Sequence, residues 1–361
     1  MCSSDLKAIA GLAASAVLAS AAPAGAQVLA IGVAAPLSGA SAALGKQVEA
    51  GATIAAGRLG VEARVADDAC TAEGGAAAAR QFATAKVAAV VGFLCTEAIE
   101  AALPILKDAG IPVVTVGVRT ESLTDRREKT GWPVFRLAER GDDERNAAAA
   151  ILTKLWRDQP FAVVDDGTIY GRDLAETVRN TAEQSALKPV FIDTYRPGMD
   201  NQIGLAGRLK KAGAARVFVG GDGSDVALLG RDAAKLDAGL TIAGGEALRA
   251  APADVPYADG TLMIALPEWA DVANAGALSD FSAAGVIPEG YALPAYAAVE
   301  IVKAATADAD GKPLAQGLEG RDFTTAIGPV RFDAKGDLTR NPYRAFRFEN
   351  GKFAPLPPEG Q

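Results

Sequence analysis

Short runs of β-branched and apolar residues alternate with longer Ala- and Leu-rich stretches along most of this 361-residue chain. Such alternation is typical of β-α-β units, in which helices connect parallel strands and pack against the sheet. We therefore predict an α/β fold with mostly parallel sheets. The strand candidates are Val28 to Val33, Val61 to Ala66, Val87 to Phe93, Pro112 to Val116, Phe161 to Val164, Val190 to Asp193, Arg216 to Val219, Leu240 to Ala243 and Thr261 to Ala265.

The same alternation predicts two lobes. A further short strand, Phe135 to Ala138, is expected to cross between them, because the pattern restarts with a helix from Glu144 to Trp156. A chain of this length normally forms two domains, each with its own core. Two doubly wound, mostly parallel lobes therefore fit the sequence better than one large sheet.

The amino-terminal residues have the organisation of a secretory signal. An apolar run follows Lys7, and small residues stand at positions −3 and −1 of a predicted cleavage site after Ala26. The run is too short to span a membrane. We expect residues 1–26 to be removed on export, the alternative being an apolar helix that stays in the fold.

Cleavage after Ala26 leaves one cysteine pair, Cys70 and Cys95, in an exported and therefore oxidising setting. We predict a disulfide between them, which closes a loop of about 26 residues and stabilises the fold by roughly 3 to 4 kcal/mol on the chain-entropy model. The alternative, a reactive thiol or metal ligand, lacks the CxxC pattern or histidine that such a role needs.

The chain contains no histidine, which excludes Ser-His-Asp and Cys-His catalysis and histidine zinc sites. Acidic residues outnumber basic ones by 44 to 36 without a Lys/Arg cluster, so we expect no nucleic-acid partner. Gly39 to Gln47 has neither the spacing nor the Ser/Thr of a phosphate loop, and Gly220 to Gly223 lacks dinucleotide-binding spacing. We expect no cofactor, no metal and no enzymatic activity.

Polar residues follow the predicted strands at their carboxyl ends, where parallel sheets bind ligands. This collection of hydroxyls, carboxylates and one arginine predicts a site for a small zwitterionic or charged molecule. Its members are Ser38, Asp67 and Asp68, Thr96, Arg119, Asp165 and Asp166, Tyr170, Asp222 and Glu246.

Several motifs of the mature chain occur together in one known family. They are Ile31 to Gly39, Asp67 to Cys70, Val90 to Cys95, Gly110 to Val114, Tyr170-Gly171 and Asp333 to Asp337. With this set the chain resembles the periplasmic substrate-binding proteins of branched-chain amino acid ABC importers, the leucine/isoleucine/valine-binding group. The resemblance implies a type 1 periplasmic binding fold, with two lobes joined by a three-crossover hinge. We expect one lobe at 27–141 plus 268–342 and the other at 142–267 plus 343–361.

Matched position by position, the resemblance implies how a ligand is held. Thr96, directly after Cys95, would contact the ligand carboxylate at a helix start, where free N–H groups favour an anion. Glu246 would bind the ligand ammonium group. Tyr170 would cover the ligand from the second lobe, and Tyr291 would lie near the cleft.

Two positions depart from the family's pattern and add charge to the predicted pocket. Gly117-Val118-Arg119 replaces a small Ala-Ala-Thr run, and Asp222 stands where the group often has an aromatic residue. Facing the cleft, Arg119 would pair bidentately with a carboxylate, and Asp222 would help Glu246 to hold a cation. Two alternatives stay open, that Arg119 and an acid neutralise each other or that Arg119 extends into solvent.

The resemblance implies a monomeric periplasmic receptor that captures a small amino acid, branched-chain or related, by hinge closure. Such a receptor delivers its ligand to the membrane permease subunits of an ABC importer. The alternative is a ligand-sensing receptor domain of the same fold that binds an amide or a small carboxylate. A third hypothesis, an exported enzyme, would depend on acid pairs such as Asp142-Asp143, although adjacent acids on loops usually form turns or caps.

Overall fold

Two β-sheets organise the part of the chain that the computed structural model describes, residues 28–250, 252, 254–308 and 311–357. The first sheet contains β1 (Ala30–Ala35), β2 (Glu62–Asp67), β3 (Val90–Gly92), β4 (Val113–Thr115) and β5 (Val134–Arg136). The second contains β6 (Phe161–Asp165), β7 (Phe191–Thr194), β8 (Arg216–Gly220), β9 (Thr241–Gly244), β10 (Leu262–Ala265), β13 (Arg344–Glu349) and β14 (Lys352–Pro355). A small hairpin pairs β11 (Asp322–Thr325) with β12 (Gly328–Arg331).

The strand orders are β2-β1-β3-β4-β5 in the first sheet and β14-β13-β10-β9-β8-β6-β7 in the second. All pairings of the first sheet are parallel, as are those among β6 to β10. The prediction of an α/β fold with mostly parallel sheets is confirmed. The chain passes between the sheets after β5, after β10 and before β13, so three segments connect them.

Helices cover both sheets. They are α1 (Ala42–Leu59), α2 (Ala72–Ala85), α3 (Thr96–Asp108), α4 (Ser122–Asp125), α5 (Arg127–Thr130), α6 (Asp143–Leu155), α7 (Ile169–Gln184), α8 (Ile203–Lys211), α9 (Gly223–Lys235), α10 (Trp269–Val272), α11 (Ala275–Ala283), α12 (Ala292–Ala307) and α13 (Leu314–Leu318), with a 3-10 turn at Glu246–Arg249. Among the residues described, no helix combines the length and apolarity that a membrane crossing requires.

Small residues let the helices pack closely against each other. A side chain at Gly51 of α1 would clash with the carbonyl of Ala292 in α12, and one at Gly75 of α2 would clash with Ala98 of α3. The two helix pairs lie on opposite faces of the first sheet, where Val48 and Phe82 belong to separate buried apolar clusters. Burial of both faces explains why β1 and β3 are continuously apolar rather than alternating, whereas β2, at the edge of the sheet, carries charged residues.

One pair of strands was missed from the sequence. The antiparallel strands β13 and β14 were not predicted, although Asn350-Gly351 is a strong hairpin signal between strands. Both residues have positive φ, 53° and 81°, as a two-residue hairpin turn requires. The predicted secretory signal, with its cleavage site after Ala26, lies outside the described residues.

Candidate functional site

The predicted disulfide between Cys70 and Cys95 is present, with a Cα–Cα distance of 5.2 Å. It joins the loop after β2 to the loop after β3 and thereby fixes the start of α3, whose N-cap is Cys95. Thr96 is the first residue of α3, and its hydroxyl lies 2.7 Å from the hydroxyl of Thr120. Two hydroxyls and the free N–H groups of a 13-residue helix therefore meet at the carboxyl end of the first sheet.

Arg119 lies one residue before Thr120, in the loop after β4. Its Nε is 2.9 Å from Oε1 of Glu139, and its Nη2 donates a 2.6 Å hydrogen bond to the hydroxyl of Tyr343. Glu139 belongs to the first connecting segment, between β5 and α6, and Tyr343 ends the third, directly before β13. Arg119 therefore contacts two of the three segments that join the sheets.

Glu246, in the 3-10 turn after β9 of the second sheet, is the next residue that Tyr343 contacts. The hydroxyl of Tyr343 donates to Oε2 of Glu246 at 3.0 Å, and Arg249 lies 3.8 Å from the other carboxylate oxygen. A continuous series of polar contacts thus runs from Arg119, after a strand of the first sheet, through Tyr343 to Glu246, after a strand of the second.

Glu144, in the first turn of α6, extends the series. Its Oε1 accepts hydrogen bonds from the backbone N–H of Glu246 and from the hydroxyl of Tyr170, both at 2.7 Å. A side chain at Gly245 would clash with Glu144 and lie 2.7 Å from the Tyr170 hydroxyl, so it would displace the ends of both side chains. Tyr170, which was predicted to cover a ligand from the second lobe, therefore lies beside Glu144 and Glu246.

Gly117 and Tyr291 pack together beside this group. A Cβ at Gly117 would clash with Leu94 and lie 3.1 Å from the ring of Tyr291. Burial raises the pKa of Tyr291, Glu139 raises it further, and Arg119 opposes the rise. Both residues therefore lie near the Arg119–Glu139 pair.

Carboxylates exceed the positive charge around Arg119, because Glu139, Glu144 and Glu246 all interact with it. Burial lowers the pKa of Arg119, but Glu139 and Tyr343 outweigh that effect and the net shift is upward. Burial raises the pKa of both Glu139 and Glu144, and the favourable contacts compensate only in part. An added cation would stabilise the charged carboxylates, so the arrangement is suited to binding one.

Asp222 lies in a different place from the other predicted residues. It is the N-cap of α9, where its side chain accepts a 3.0 Å hydrogen bond from the backbone of Asp225. Its negative charge raises the pKa of Tyr195, Tyr257 and Asp225, whereas the groups that act on the pKa of Arg119 are Glu139, Tyr343 and Glu246. Of the predicted site residues, Thr96 contacts Thr120, and Asp222 lies apart. The others lie around one group of contacts, and they are Arg119, Tyr170, Glu246, Gly117 and Tyr291.

Four residues of this group were missed from sequence: Thr120, Glu139, Glu144 and Tyr343. Thr120 directly follows Arg119, and Glu139 comes three residues after β5, so the rule that ligands bind beyond strand ends could have found both. The alternative that Arg119 and an acid neutralise each other describes the contact with Glu139, yet the Arg119 side chain remains 41% exposed.

Comparison with known proteins identifies the family. Residues 28–352 match the family model of the periplasmic binding proteins. The Leu/Ile/Val-binding protein BraC3 of Rhizobium johnstonii is 32% identical over 341 residues, which cover 90% of this chain and 92% of that protein. A leucine-, isoleucine-, valine-, threonine- and alanine-binding protein of Pseudomonas aeruginosa is 28% identical over 325 residues, covering 85% and 86%.

Solved structures share the fold. The TM-score is 0.73 for a Rhodospirillum rubrum protein assigned to branched-chain amino acid ABC transport, at 20% identity, with 91% of this chain and 100% of that chain covered. It is 0.63 for an ABC transporter substrate-binding protein from Desulfitobacterium hafniense in complex with Leu, at 22% identity and the same coverage. The fold and the resemblance predicted from sequence are both confirmed: this chain belongs to the periplasmic binding protein family.

Proposed function

We propose that this chain is an exported receptor that binds a small α-amino acid between two lobes and delivers it to the membrane permease of an ABC importer. The observation that carries the proposal is the series of contacts from Arg119 through Tyr343 to Glu246, which joins the carboxyl ends of both sheets. Ligands of parallel sheets bind at these ends. A small molecule placed here would contact both sheets at once.

The two sheets are proposed to be the cores of two lobes, 27–141 plus 268–342 and 142–267 plus 343–361, that move about the connecting segments. A ligand closes such a pair only through contacts made in the closed state alone. Arg119 and Tyr343 adjoin the connecting segments, so they form the base of the cleft. Thr96 and Glu246 lie on either side of this base, so both can contact one ligand only when the lobes close.

The proposed orientation of the ligand follows from charge. Its carboxylate would be bound by Thr96, Thr120 and the N-terminal N–H groups of α3, with the exposed part of Arg119 beside them. Its ammonium group would be bound by Glu246 and Glu144, whose negative charge Arg119 balances only in part.

The relatives support an amino-acid ligand. BraC3 is a Leu/Ile/Val-binding protein, and the Desulfitobacterium hafniense structure contains Leu. We therefore propose a branched-chain or related amino acid as ligand, and a monomeric protein in the periplasm, released by cleavage after Ala26.

Calorimetric titration of the mature chain with L-leucine, L-valine, L-norleucine and L-lysine tests the proposal. At least one of these should bind, and Glu246→Gln should weaken it at least about a hundredfold, because the ligand ammonium loses its charged partner. Unfolding temperature should stay unchanged without ligand.

Glu100→Gln is the matched control, since it removes an exposed carboxylate that pairs with Arg126 on the surface. Its affinity should equal that of the unaltered chain. If no amino acid of the panel binds, the proposed function is wrong. If Glu246→Gln binds normally, Glu246 has no part in the site.

A further inference from the structure

A second group of acidic residues lies at the carboxyl end of the second sheet, apart from Arg119. Asp165 ends β6, Asp166 follows it, and Asp222 and Asp225 begin α9 after β8. Together with Tyr195, which follows β7, these four residues are called the acidic cup. Described residues include no group of three or more acidic, cysteine or histidine side chains disposed to hold a metal ion.

Tyr195 forms the floor of the acidic cup. It is 5% exposed, and its hydroxyl has no hydrogen-bond partner within the part of the chain that the structure describes. A Cβ at Gly221 would clash with this hydroxyl and would lie 3.4 Å from Cβ of Asp166, so both side chains converge on Gly221. Burial raises the pKa of Tyr195, as do Asp225, Asp166 and Asp222. A buried hydroxyl without a partner is destabilising unless a bound group completes it.

The carboxylates around Tyr195 differ in how many of their oxygens already accept hydrogen bonds. Asp225 is buried and accepts hydrogen bonds from the Gly198 backbone and from Gln202. Asp166, in contrast, accepts both bonds from Thr168 on one oxygen, and exposed Asp222 caps α9 with one oxygen. The acidic cup therefore opens outward through Asp166 and Asp222 and has a hydroxyl at its base.

The start of α7 connects the acidic cup to the proposed amino-acid site. Tyr170 reaches Glu144 with its hydroxyl, while a side chain on the next residue, Gly171, would clash with Oδ1 of Asp166 and lie 2.5 Å from the carbonyl of Gly220. One turn of helix therefore contacts Glu144 on one side and Asp166 on the other.

We propose that the acidic cup binds the distal ammonium group of a dibasic amino acid whose α-ammonium group is held at Glu246. The inference rests on the proposed function, because it extends the ligand from the amino-acid site. An ammonium group donates several hydrogen bonds, so it suits the Tyr195 hydroxyl and the carboxylates of Asp166 and Asp222. Arg172 lies 3.8 Å from Asp165, but a neutral ligand side chain would provide no counter-charge for Asp166 and Asp222.

L-lysine and L-norleucine test the inference, since they share a carbon chain and differ by the terminal ammonium group. The unaltered protein should bind L-lysine at least about tenfold more tightly in calorimetric titration. Asp166→Asn should weaken L-lysine at least about tenfold, and Tyr195→Phe about fivefold, with L-norleucine unchanged in both. The amide oxygen of the first variant can still accept the bonds from Thr168.

Asp193→Asn is the control, because Asp193 is an acid of β7 that pairs with Arg208 outside the acidic cup. It changes net charge equally and should leave the L-lysine affinity unchanged. If L-norleucine binds as tightly as L-lysine, or if Asp166→Asn and Tyr195→Phe weaken both ligands alike, the inference is wrong while the proposed function stands. Failure of every amino acid to bind would overturn both.

Discussion

Two arginines near the carboxyl end of the first sheet, Arg136 and Arg119, sit in opposite environments. The side chain of Arg136 is 0% exposed and lies 2.8 Å from Asp337, whereas that of Arg119 is 41% exposed and shared among several carboxylates. Arg136 also donates to the carbonyls of Thr120 and Val118 and to the hydroxyl of Thr124. A buried, fully bonded arginine maintains the architecture, and an exposed one with surplus carboxylates is available to a ligand.

The Arg136 group fastens the third connecting segment to the first sheet. Asp337 also binds Arg140 at 2.8 Å, and the backbone N–H of Arg136 donates to the carbonyl of Gly336. Gly336 has φ +92°, and a side chain there would clash with the carbonyl of Val134. The segment therefore approaches β5 more closely than any larger residue would permit.

The largest expected effect comes from breaking the buried pair. Asp337→Ala should lower the free energy of unfolding by about 3 to 5 kcal/mol, because it leaves Arg136 buried without its counter-ion. Urea unfolding measures the change. Asp322→Ala, which removes an exposed partner of Arg331, should change it by less than about 1 kcal/mol. Equal effects of the two substitutions would show that burial does not distinguish these ion pairs.

Asp68, like Asp337, is a buried carboxylate, but no arginine in the described part of the chain pairs with it. It is 0% exposed, one oxygen accepts from the backbone of Cys70, and the other has no partner among the described residues. Burial, followed by the charge of Asp67, raises its pKa from 3.8 to about 6 despite that hydrogen bond. The folded protein therefore binds this proton more tightly than the unfolded chain does.

Stability attributable to Asp68 should consequently fall as pH rises from about 4 to about 6, and the full penalty, on the order of 3 kcal/mol, should persist above pH 6. Asp68→Asn should remove this pH dependence. Urea unfolding of both proteins at several pH values between 4 and 7 measures it. Parallel pH profiles for the two proteins would contradict the raised pKa.

A smaller effect is expected from the link between Arg119 and Glu246. Tyr343→Phe removes the hydroxyl that joins them, and it should weaken amino-acid binding about tenfold while lowering unfolding free energy by about 1 kcal/mol. Calorimetric titration and urea unfolding provide the two values. Tyr296→Phe removes a comparable hydrogen bond, to Asp280, which is not part of the series from Arg119 to Glu246, and should affect stability alone. A Tyr343→Phe protein that binds normally would break the proposed connection between the sheets.

The sequence predicted where the candidate-site residues that depend on local order would lie. Thr96 follows a disulfide cysteine at a helix start, and Glu246 follows a strand end, so motif and position sufficed to locate both, while their contact with a ligand stays a prediction. Position after β5 could have singled out Glu139 as a candidate, but neither motif nor position shows that Glu139 and Tyr343 contact Arg119. Glu139 lies 20 residues later in a connecting segment, and Tyr343 lies 224 residues away along the chain. Only the folded arrangement of the two sheets brings these residues to one place.

In the fold, too, local sequence patterns predicted some elements, while others depend on long-range pairing. Parallel strands buried on both faces are continuous apolar runs and were predicted, whereas β13 carries charged residues between apolar ones, β14 begins with a lysine, and the two strands form an edge of the sheet. The pairing of β13 with β10 is antiparallel and long-range, so it depends on the third connecting segment, and among the described strands β14 pairs only with β13. The local sequence pattern predicted β-α-β units. It did not show that strands near the end of the chain would join the sheet formed by β6 to β10.

Small-angle X-ray scattering of the mature chain, with and without the amino acid that binds most tightly, tests whether a ligand closes the two lobes. The radius of gyration should fall on saturation, because a ligand held from both sheets closes the lobes, and Glu246→Gln should show no fall at the same ligand concentration. A radius of gyration that is unchanged by a bound amino acid would contradict closure.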